Sequence, residues 1–143
     1  MNILKIDFGS PEQIASVKLR YAVLREPLGL TYDEGVLATE NEDFHIAAFS
    51  ENELVGILLL KPFHEQGMLK MRQVAVNPLW QRKGVGRNLV NFSEEFARKK
   101  GFKKIELHAR ENAIPFYTSL HYIVEGDMFL EVGIPHKKMY KVL

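Results

Sequence analysis

A short apolar segment that runs into a glycine-rich corner and then a long amphipathic helix constrains this chain more than any other feature. Residues 73–76 read Gln-Val-Ala-Val, a turn follows at residues 77–80, and residues 81–86 read Gln-Arg-Lys-Gly-Val-Gly. Glycines let the backbone approach a ligand closely, and the first turn of a helix presents free N–H groups with roughly half a positive charge. The corner therefore predicts a phosphate site, and a doubly phosphorylated ligand is our first hypothesis.

Other phosphate motifs fit this corner poorly. A dinucleotide fingerprint needs a third glycine where this chain has Leu89, and no acidic ribose ligand is evident at the usual distance. A nucleotide P-loop needs Gly-Lys followed by Ser or Thr, whereas Gly86 is followed by Arg87 and Asn88. The simplest competing interpretation is that the glycines merely shape a strand-to-helix turn. The preceding strand and a second motif favour a binding role.

The second motif lies downstream of the corner. Residues 113–117 read Ala-Ile-Pro-Phe-Tyr, and Leu120 follows. Together with Gln81, Gly84 and Gly86, this order resembles the GNAT superfamily of N-acetyltransferases, in which Gln-x-x-Gly-x-Gly is the acetyl-coenzyme A motif and the later tyrosine lies beside the coenzyme thiol. The segment 131–139, with its Gly-Ile-Pro-His run and a later Met, resembles a bacterial ElaA-like branch of that family.

The resemblance implies a fold and a set of coenzyme contacts. The fold is α/β (an α+β mixed sheet), GNAT-like, with about six to seven strands, about four helices and a central parallel pair of strands that splays apart. The coenzyme arm would pair with the open edge of Val74, Ala75 and Val76, where an N–H would stabilise a developing oxyanion. The implied diphosphate donors are the N–H groups of Arg82, Lys83, Gly84, Val85, Gly86 and Arg87, with Gln81 bracing the loop.

The same resemblance assigns roles near the second motif. Tyr117 would protonate the departing thiolate, and a phenol suits that role because it stays protonated near neutral pH. Where many members carry an asparagine upstream of the tyrosine, this chain has Arg110, and the nearby Asn112 is the coenzyme contact that we expect instead. After Leu120, His121-Tyr122 replaces the usual Gly-Phe.

Composition sets the outer bounds of the prediction. The chain has 143 residues, 46% of them hydrophobic, and we expect one domain over residues 1–143 with its own core. There is no cysteine, which excludes disulfides, thiolate catalysis and cysteine zinc sites, and no signal-peptide pattern, so we expect a cytoplasmic location. A net charge of +1 and a pI near 8.0 predict no general attraction to nucleic acid or membranes. No metal is expected.

Periodicity predicts a strand and then a helix at the start of the chain. Residues 2–8 alternate apolar and polar side chains. Ser10, Pro11 and Gln13 then predict an N-cap, a first helical residue and a capping box. The predicted apolar face of this helix comprises Ile14, Val17, Tyr21 and Leu24. Residues 29–41 predict an irregular loop or a short second helix.

The rest of the chain predicts strands around one long helix. Strands are predicted at residues 45–49, 54–62, 68–76 and 104–109, a helix at 85–100, and a closing hairpin at 122–131 and 135–142. Gly101 should adopt a left-handed conformation at the end of the helix. Because a crossover helix joins parallel strands, 104–109 should lie parallel to 68–76.

The predicted activity is direct transfer of acetyl from acetyl-coenzyme A to a primary amine of a small molecule or protein, in a ternary complex. A protonated amine must first lose a proton. Candidate bases and acceptor contacts are His64, His108, His136, Glu40, Glu42 and Asp43, while Arg20 and Arg25 could face an acidic acceptor. A noncatalytic acyl-coenzyme A sensor is the alternative function, and a homodimer is compatible with the closing hairpin.

Overall fold

The computed structural model describes residues 1–143 and builds them around one seven-stranded sheet. The strands are β1 (Asn2–Ile6), β2 (Phe44–Ser50), β3 (Glu53–Phe63), β4 (Met68–Val76), β5 (Lys104–Arg110), β6 (Ile123–Glu131) and β7 (Ile134–Val142). They lie in the order β1-β2-β3-β4-β5-β7-β6. Only β4 and β5 pair in parallel, and every other pair is antiparallel. The predicted mixed sheet and its parallel pair are confirmed.

Four α-helices pack on or beside this sheet, as predicted. They are α1 (Pro11–Arg20), α2 (Glu34–Ala38), α3 (Val85–Lys99) and α4 (Ile114–Ser119). A π-helical turn at Tyr21–Arg25 and a 3-10 turn at Glu26–Leu28 extend α1, so that the chain from residue 11 to residue 28 is nearly continuous helix. Of the two structures predicted for residues 29–41, an irregular loop or a short second helix, the helix is present as α2.

Helix α1 begins as predicted but buries a different face. The Gln13 N–H donates to Ser10 Oγ at 3.2 Å, and the Gln13 side chain accepts from the Gly9 N–H at 3.1 Å. The predicted apolar face is wrong in part: Leu24 packs on a buried cluster, but Ile14 is 56% exposed and Tyr21 is 38% exposed. The buried residues of this helix are Gln13, Ser16 and Arg20. Their polar groups have partners inside the protein, which makes their burial tolerable.

The two faces of the sheet carry cores of unequal size. The larger cluster of 19 buried residues includes Leu89 and Val90 of α3, and the smaller cluster of five is covered by Leu19, Val23 and Leu24. Helix α3 ends as predicted, because Gly101 is left-handed at φ +86° and the Phe102 N–H donates to Ala97 O at 3.0 Å. None of the helices combines the length and the apolar composition that a membrane-spanning helix requires.

Candidate functional site

A groove opens between the parallel strands β4 and β5. Their pairing runs from Met68 opposite Lys104 only as far as Met71 opposite Leu107. Beyond that point β4 stays paired with β3 and β5 stays paired with β7, while the edges that face each other have no partner. Backbone N–H and C=O groups on such edges retain their capacity to bind a ligand. The predicted splay at residues 74–76 is thus present.

A bulge in β4 accompanies the splay. Ile57 faces Ala75 and Leu59 faces Arg72, so two residues of β4, Gln73 and Val74, stand opposite one residue of β3. Gln73 has φ +56°, which is unusual for a side chain larger than glycine. Its side-chain oxygen accepts from the Tyr32 hydroxyl at 2.6 Å and lies 3.4 Å from Arg20 Nε. Side-chain hydrogen bonds therefore hold the bulge in place.

The predicted acceptor contacts Arg20 and Glu40 bind each other instead of lining the groove. Their side chains are 0% and 2% exposed, and Arg20 Nη1 and Nη2 donate to the two Glu40 carboxylate oxygens at 2.9 and 2.8 Å. Burial opposes the charge, but the hydrogen bonds and the Glu40 charge raise the pKa of Arg20 above its ordinary value. This pair supports the bulge, and its burial keeps both side chains away from a substrate.

The glycine-rich corner has the geometry of a helix N-terminus open to an anion. Gly84 precedes α3 with φ +85°, and the first helical bond runs from the Asn88 N–H to Gly84 O at 3.0 Å. The N–H groups of Val85, Gly86 and Arg87 come before that bond and have no acceptor within the helix. The Gln81 side chain donates to Val76 O at 3.1 Å, so it ties the corner to the end of β4.

The side chains at the corner have separate roles. Val85 is buried in the larger core, whereas Arg82, Lys83 and Arg87 are exposed beside the helix start, with Lys83 Nζ 5.3 Å from the centre of the Trp80 ring. A Cβ on Gly86 would lie 3.3 Å from the ring of Phe116 in α4. The absence of a side chain at Gly86 therefore lets the corner pack closely on the helix that carries the second motif.

Tyr117 lies on α4 and lines the cavity at the splay. The residue is 7% exposed, and its ring packs edge-on against Phe116 and Tyr122, with centroids 5.0 and 5.8 Å away. Burial raises the pKa of Tyr117 above the ordinary range of a phenol, so the hydroxyl keeps its proton. The hydroxyl of Tyr122 donates to Glu94 at 3.0 Å, whereas burial alone perturbs Tyr117. Tyr117 thus places a protonated phenol among the residues that line the cavity.

Arg110 and Asn112, the two residues that stand near the asparagine position of the family, have different surroundings in the turn before α4. Asn112 is exposed and does not line the cavity, whereas Arg110 does, and its guanidinium donates to Leu24 O at 3.2 Å. Arg110 therefore ties β5 to the end of the helical segment that follows α1.

The cavity at the splay has a volume of about 520 Å³ and brings distant segments together. It contains the predicted His108 and His136, and also Glu131, which no motif or pattern had singled out. Glu131 Oε1 lies 2.9 Å from His108 Nδ1, and its other oxygen lies 3.5 Å from His136 Nε2. Partial burial opposes ionisation, but the hydrogen bond from His108 and the nearby positive charges lower the pKa of Glu131.

The predicted candidates outside this cavity are His64, Glu42 and Asp43. His64 and Glu42 are exposed, and Asp43 is buried with one carboxylate oxygen 3.6 Å from Arg72 Nη1. Burial raises the pKa of Asp43, although the Arg72 charge opposes the shift. No group of three or more His, Cys, Asp or Glu side chains is arranged to hold a metal ion.

Comparisons with known proteins agree with this geometry. The model of the acetyltransferase (GNAT) family matches residues 7–122. The uncharacterised Bacillus subtilis protein YyaT is 30% identical over 97 residues, which are 68% of this chain and 64% of that protein. This chain thus spans about two thirds of that relative's length.

Solved structures share the fold over nearly the whole chain. Escherichia coli ElaA is 20% identical with a TM-score of 0.83, and 98% of each chain is covered. An aminoglycoside 6'-N-acetyltransferase complexed with coenzyme A is 19% identical with a TM-score of 0.81, covering 99% of this chain and 97% of that one. The chain belongs to the acetyltransferase (GNAT) family.

Proposed function

We propose that this protein transfers an acetyl group from acetyl-coenzyme A directly to a primary amine while both substrates are bound. The observation that carries this proposal is the open edge between β4 and β5, where Val74, Leu107 and Tyr117 line one cavity. A thioester held along that edge would lie beside the phenol, and an amine could enter from the rest of the cavity.

The coenzyme would bind along β4 and around the start of α3. The backbone groups of residues 74–76 that face the groove and have no partner would pair with its amide-bearing arm, as another strand would. The free N–H groups at the start of α3 would bind the diphosphate. Around them, Arg82, Lys83 and Arg87 supply positive charge for the outer phosphate, and Asn112 stays a predicted contact.

The proposed chemistry needs an acid and a base. The amine nitrogen attacks the thioester carbonyl carbon and the C–N bond forms. The C–S bond breaks as the sulfur takes a proton from Tyr117, and the proton that the new amide nitrogen loses restores the Tyr117 phenol. We propose His108 as the base that removes the proton from the amine, because an imidazole accepts protons near neutral pH and this one is oriented by Glu131. An N–H of residues 74–76 would stabilise the oxyanion during attack.

The acceptor class is a primary amine on a small molecule or a protein. The aminoglycoside acetyltransferase that shares this fold acts on one such amine-bearing class, but its 19% identity carries no acceptor over to this chain.

A second copy of the chain as partner also stays a proposal. It would pair along β6, the last strand of the sheet, where Ile123, Met128 and Leu130 are 56%, 54% and 70% exposed. Sedimentation of the protein and of a Leu130→Lys variant tests this.

A noncatalytic acyl-coenzyme A sensor is the alternative, and the buried, protonated Tyr117 favours the enzyme because a sensor needs no acid at the sulfur. The experiment is release of free thiol from acetyl-coenzyme A in the presence of a broad amine panel. Steady amine-dependent release supports the enzyme, whereas tight coenzyme binding without turnover supports the sensor. The cytoplasmic location and the one-domain organisation stay predictions.

A further inference from the structure

The cavity beside the splay is lined by an excess of positive charge. Its cationic side chains are Arg25, Lys61, Lys70, Arg72 and Arg110, and Glu131 is its one carboxylate. This excess is local, since the whole chain carries a net charge of only +1. A concave site lined by one sign of charge concentrates ligands of the opposite sign.

Most of these cations have no anionic partner within the protein. Arg72 is 3.6 Å from Asp43, and Glu131 is engaged by the two histidines. Glu106 lies opposite Lys70 in the strand pairing, but its ion pairs are with Lys104 and Lys138. Burial lowers the pKa of Lys70, although the Glu131 and Glu106 charges oppose the shift. The positive charge of Lys70 is therefore only partly balanced by the nearby carboxylates.

Two of the cations are held in place before any ligand arrives. The Arg25 guanidinium lies 4.7 Å from the centre of the Tyr32 ring, and Arg110 donates to Leu24 O at 3.2 Å. An arginine that is already ordered loses less side-chain entropy when it binds a planar anion. Both contacts leave donors of the guanidinium free, since each guanidinium has five.

These cations belong to a different compartment from the phosphate corner. Residues 81–87 do not line the cavity, whereas Arg25 on the segment after α1 and Lys70 on β4 do. The corner has its own cations, Arg82, Lys83 and Arg87. The coenzyme phosphates thus have donors elsewhere, and the charge of the cavity is available to the second substrate.

We propose that the acetyl acceptor is an anionic amine, a primary amine on a molecule that also carries a carboxylate or a phosphate group. The acidic group binds the cations Lys70, Arg25 and Arg110, while the amine is left near the His108–Glu131 pair. This inference rests on the proposed acetyl transfer and adds the class of acceptor. A polyamine or an amino sugar would instead bring positive charge into a cavity that already has an excess of it.

Matched pairs of amines test the proposal. Thiol release is measured with the common L-amino acids against their carboxamides, with phosphoethanolamine against ethanolamine, and with spermidine and glucosamine as cationic amines. We expect kcat/KM for the member that carries the acidic group to exceed that of its partner without it by about tenfold or more, the effect of one charge-assisted hydrogen bond. The pairs separate a carboxylate requirement from a phosphate requirement.

Each outcome bears on the proposal. Faster turnover of the members that lack an acidic group would overturn the anionic acceptor and leave the acetyltransferase proposal standing. Turnover of no member, with coenzyme still bound, would overturn both proposals.

Variants then connect the preference to the cavity. Lys70→Gln and, independently, Arg25→Gln should each reduce the ratio of kcat/KM with the acidic group to kcat/KM without it by about tenfold, with the affinity for coenzyme A unchanged. Lys18→Gln removes an exposed cation outside the cavity and should leave the ratio unchanged. An unchanged ratio in both cavity variants, or an equal fall in the Lys18 variant, would overturn the assignment.

Discussion

Arg20 and Glu40 form a buried bidentate ion pair, with N–O distances of 2.9 and 2.8 Å, directly beside the bulge that accompanies the splay of β4. The pair joins the end of α1 to the turn that precedes β2. Arg20 Nε also lies 3.4 Å from the side-chain oxygen of Gln73, the residue with φ +56°. Ion pair, glutamine and bulge thus form one connected unit.

Breaking this pair should destabilise the fold strongly. Glu40→Gln leaves the Arg20 charge buried without its counterion, and we expect a loss of about 3 kcal/mol or more in the free energy of unfolding. Urea unfolding measures it. Replacing both partners, Arg20→Met with Glu40→Leu, should cost less than the sum of the two single changes. Single variants that lose under about 1 kcal/mol would contradict this account of the pair.

The two ends of α3 allow a controlled test of the phosphate corner. Gly84 and Gly101 have φ +85° and +86°, and an added Cβ meets no atom within 4 Å at either position. Each change to alanine should therefore lower the free energy of unfolding by about 1 kcal/mol, the cost of holding a residue with a Cβ in the left-handed conformation. Only Gly84→Ala should also weaken coenzyme A binding, by about tenfold or more, which is 1.4 kcal/mol. Calorimetric titration of both variants gives the comparison, and equal affinities would remove the corner from the coenzyme site.

Local patterns predicted much of this fold. Each of these patterns lies within a single element. The alternation of residues 68–76 predicts a strand, the amphipathic run from Val85 predicts a helix, and Gly101 predicts a left-handed helix end. All three are present in the structure. The parallel pairing of β4 and β5 follows from a general rule on crossovers. The corner and Tyr117 were found because each belongs to a short motif.

Contacts between distant segments account for what was missed. The buried face of α1 depends on Arg20 meeting Glu40, and a helical wheel that ranks only hydrophobicity places Arg20 outside. Glu131 reaches His108 because β7 lies between β5 and β6, an order that no local pattern specifies. The cationic lining likewise combines residues from separate elements, each of which reads as a surface charge on its own.

The Glu131 carboxylate should contribute to stability in a way that depends on pH. Its pKa is lower in the folded protein, so the unfolded chain binds the proton more readily. The contribution is therefore fully present above the unfolded pKa of about 4.3 and is lost as pH falls through the lower folded value. The difference in unfolding free energy between the wild type and Glu131→Gln should shrink over that acid range. Glu65→Gln, at an exposed turn residue, serves as the control, and a difference that is constant with pH would refute the linkage.

Tyr117→Phe should reduce turnover without weakening coenzyme binding. The change removes one oxygen from a residue that we propose as the acid for the sulfur, and a general acid contributes about a hundredfold or more. Single-turnover kinetics measure the rate of the chemical step separately from product release. The control is Tyr122→Phe, because Tyr122 packs against Tyr117 but donates to Glu94, so its change should lower stability and leave the chemical rate nearly unaltered. Since burial raises the pKa of Tyr117, its phenol should stay protonated to beyond about pH 10, and any loss of wild-type rate at lower alkaline pH must come from another group. A chemical step equally fast in the wild type and Tyr117→Phe would exclude the phenol as the acid.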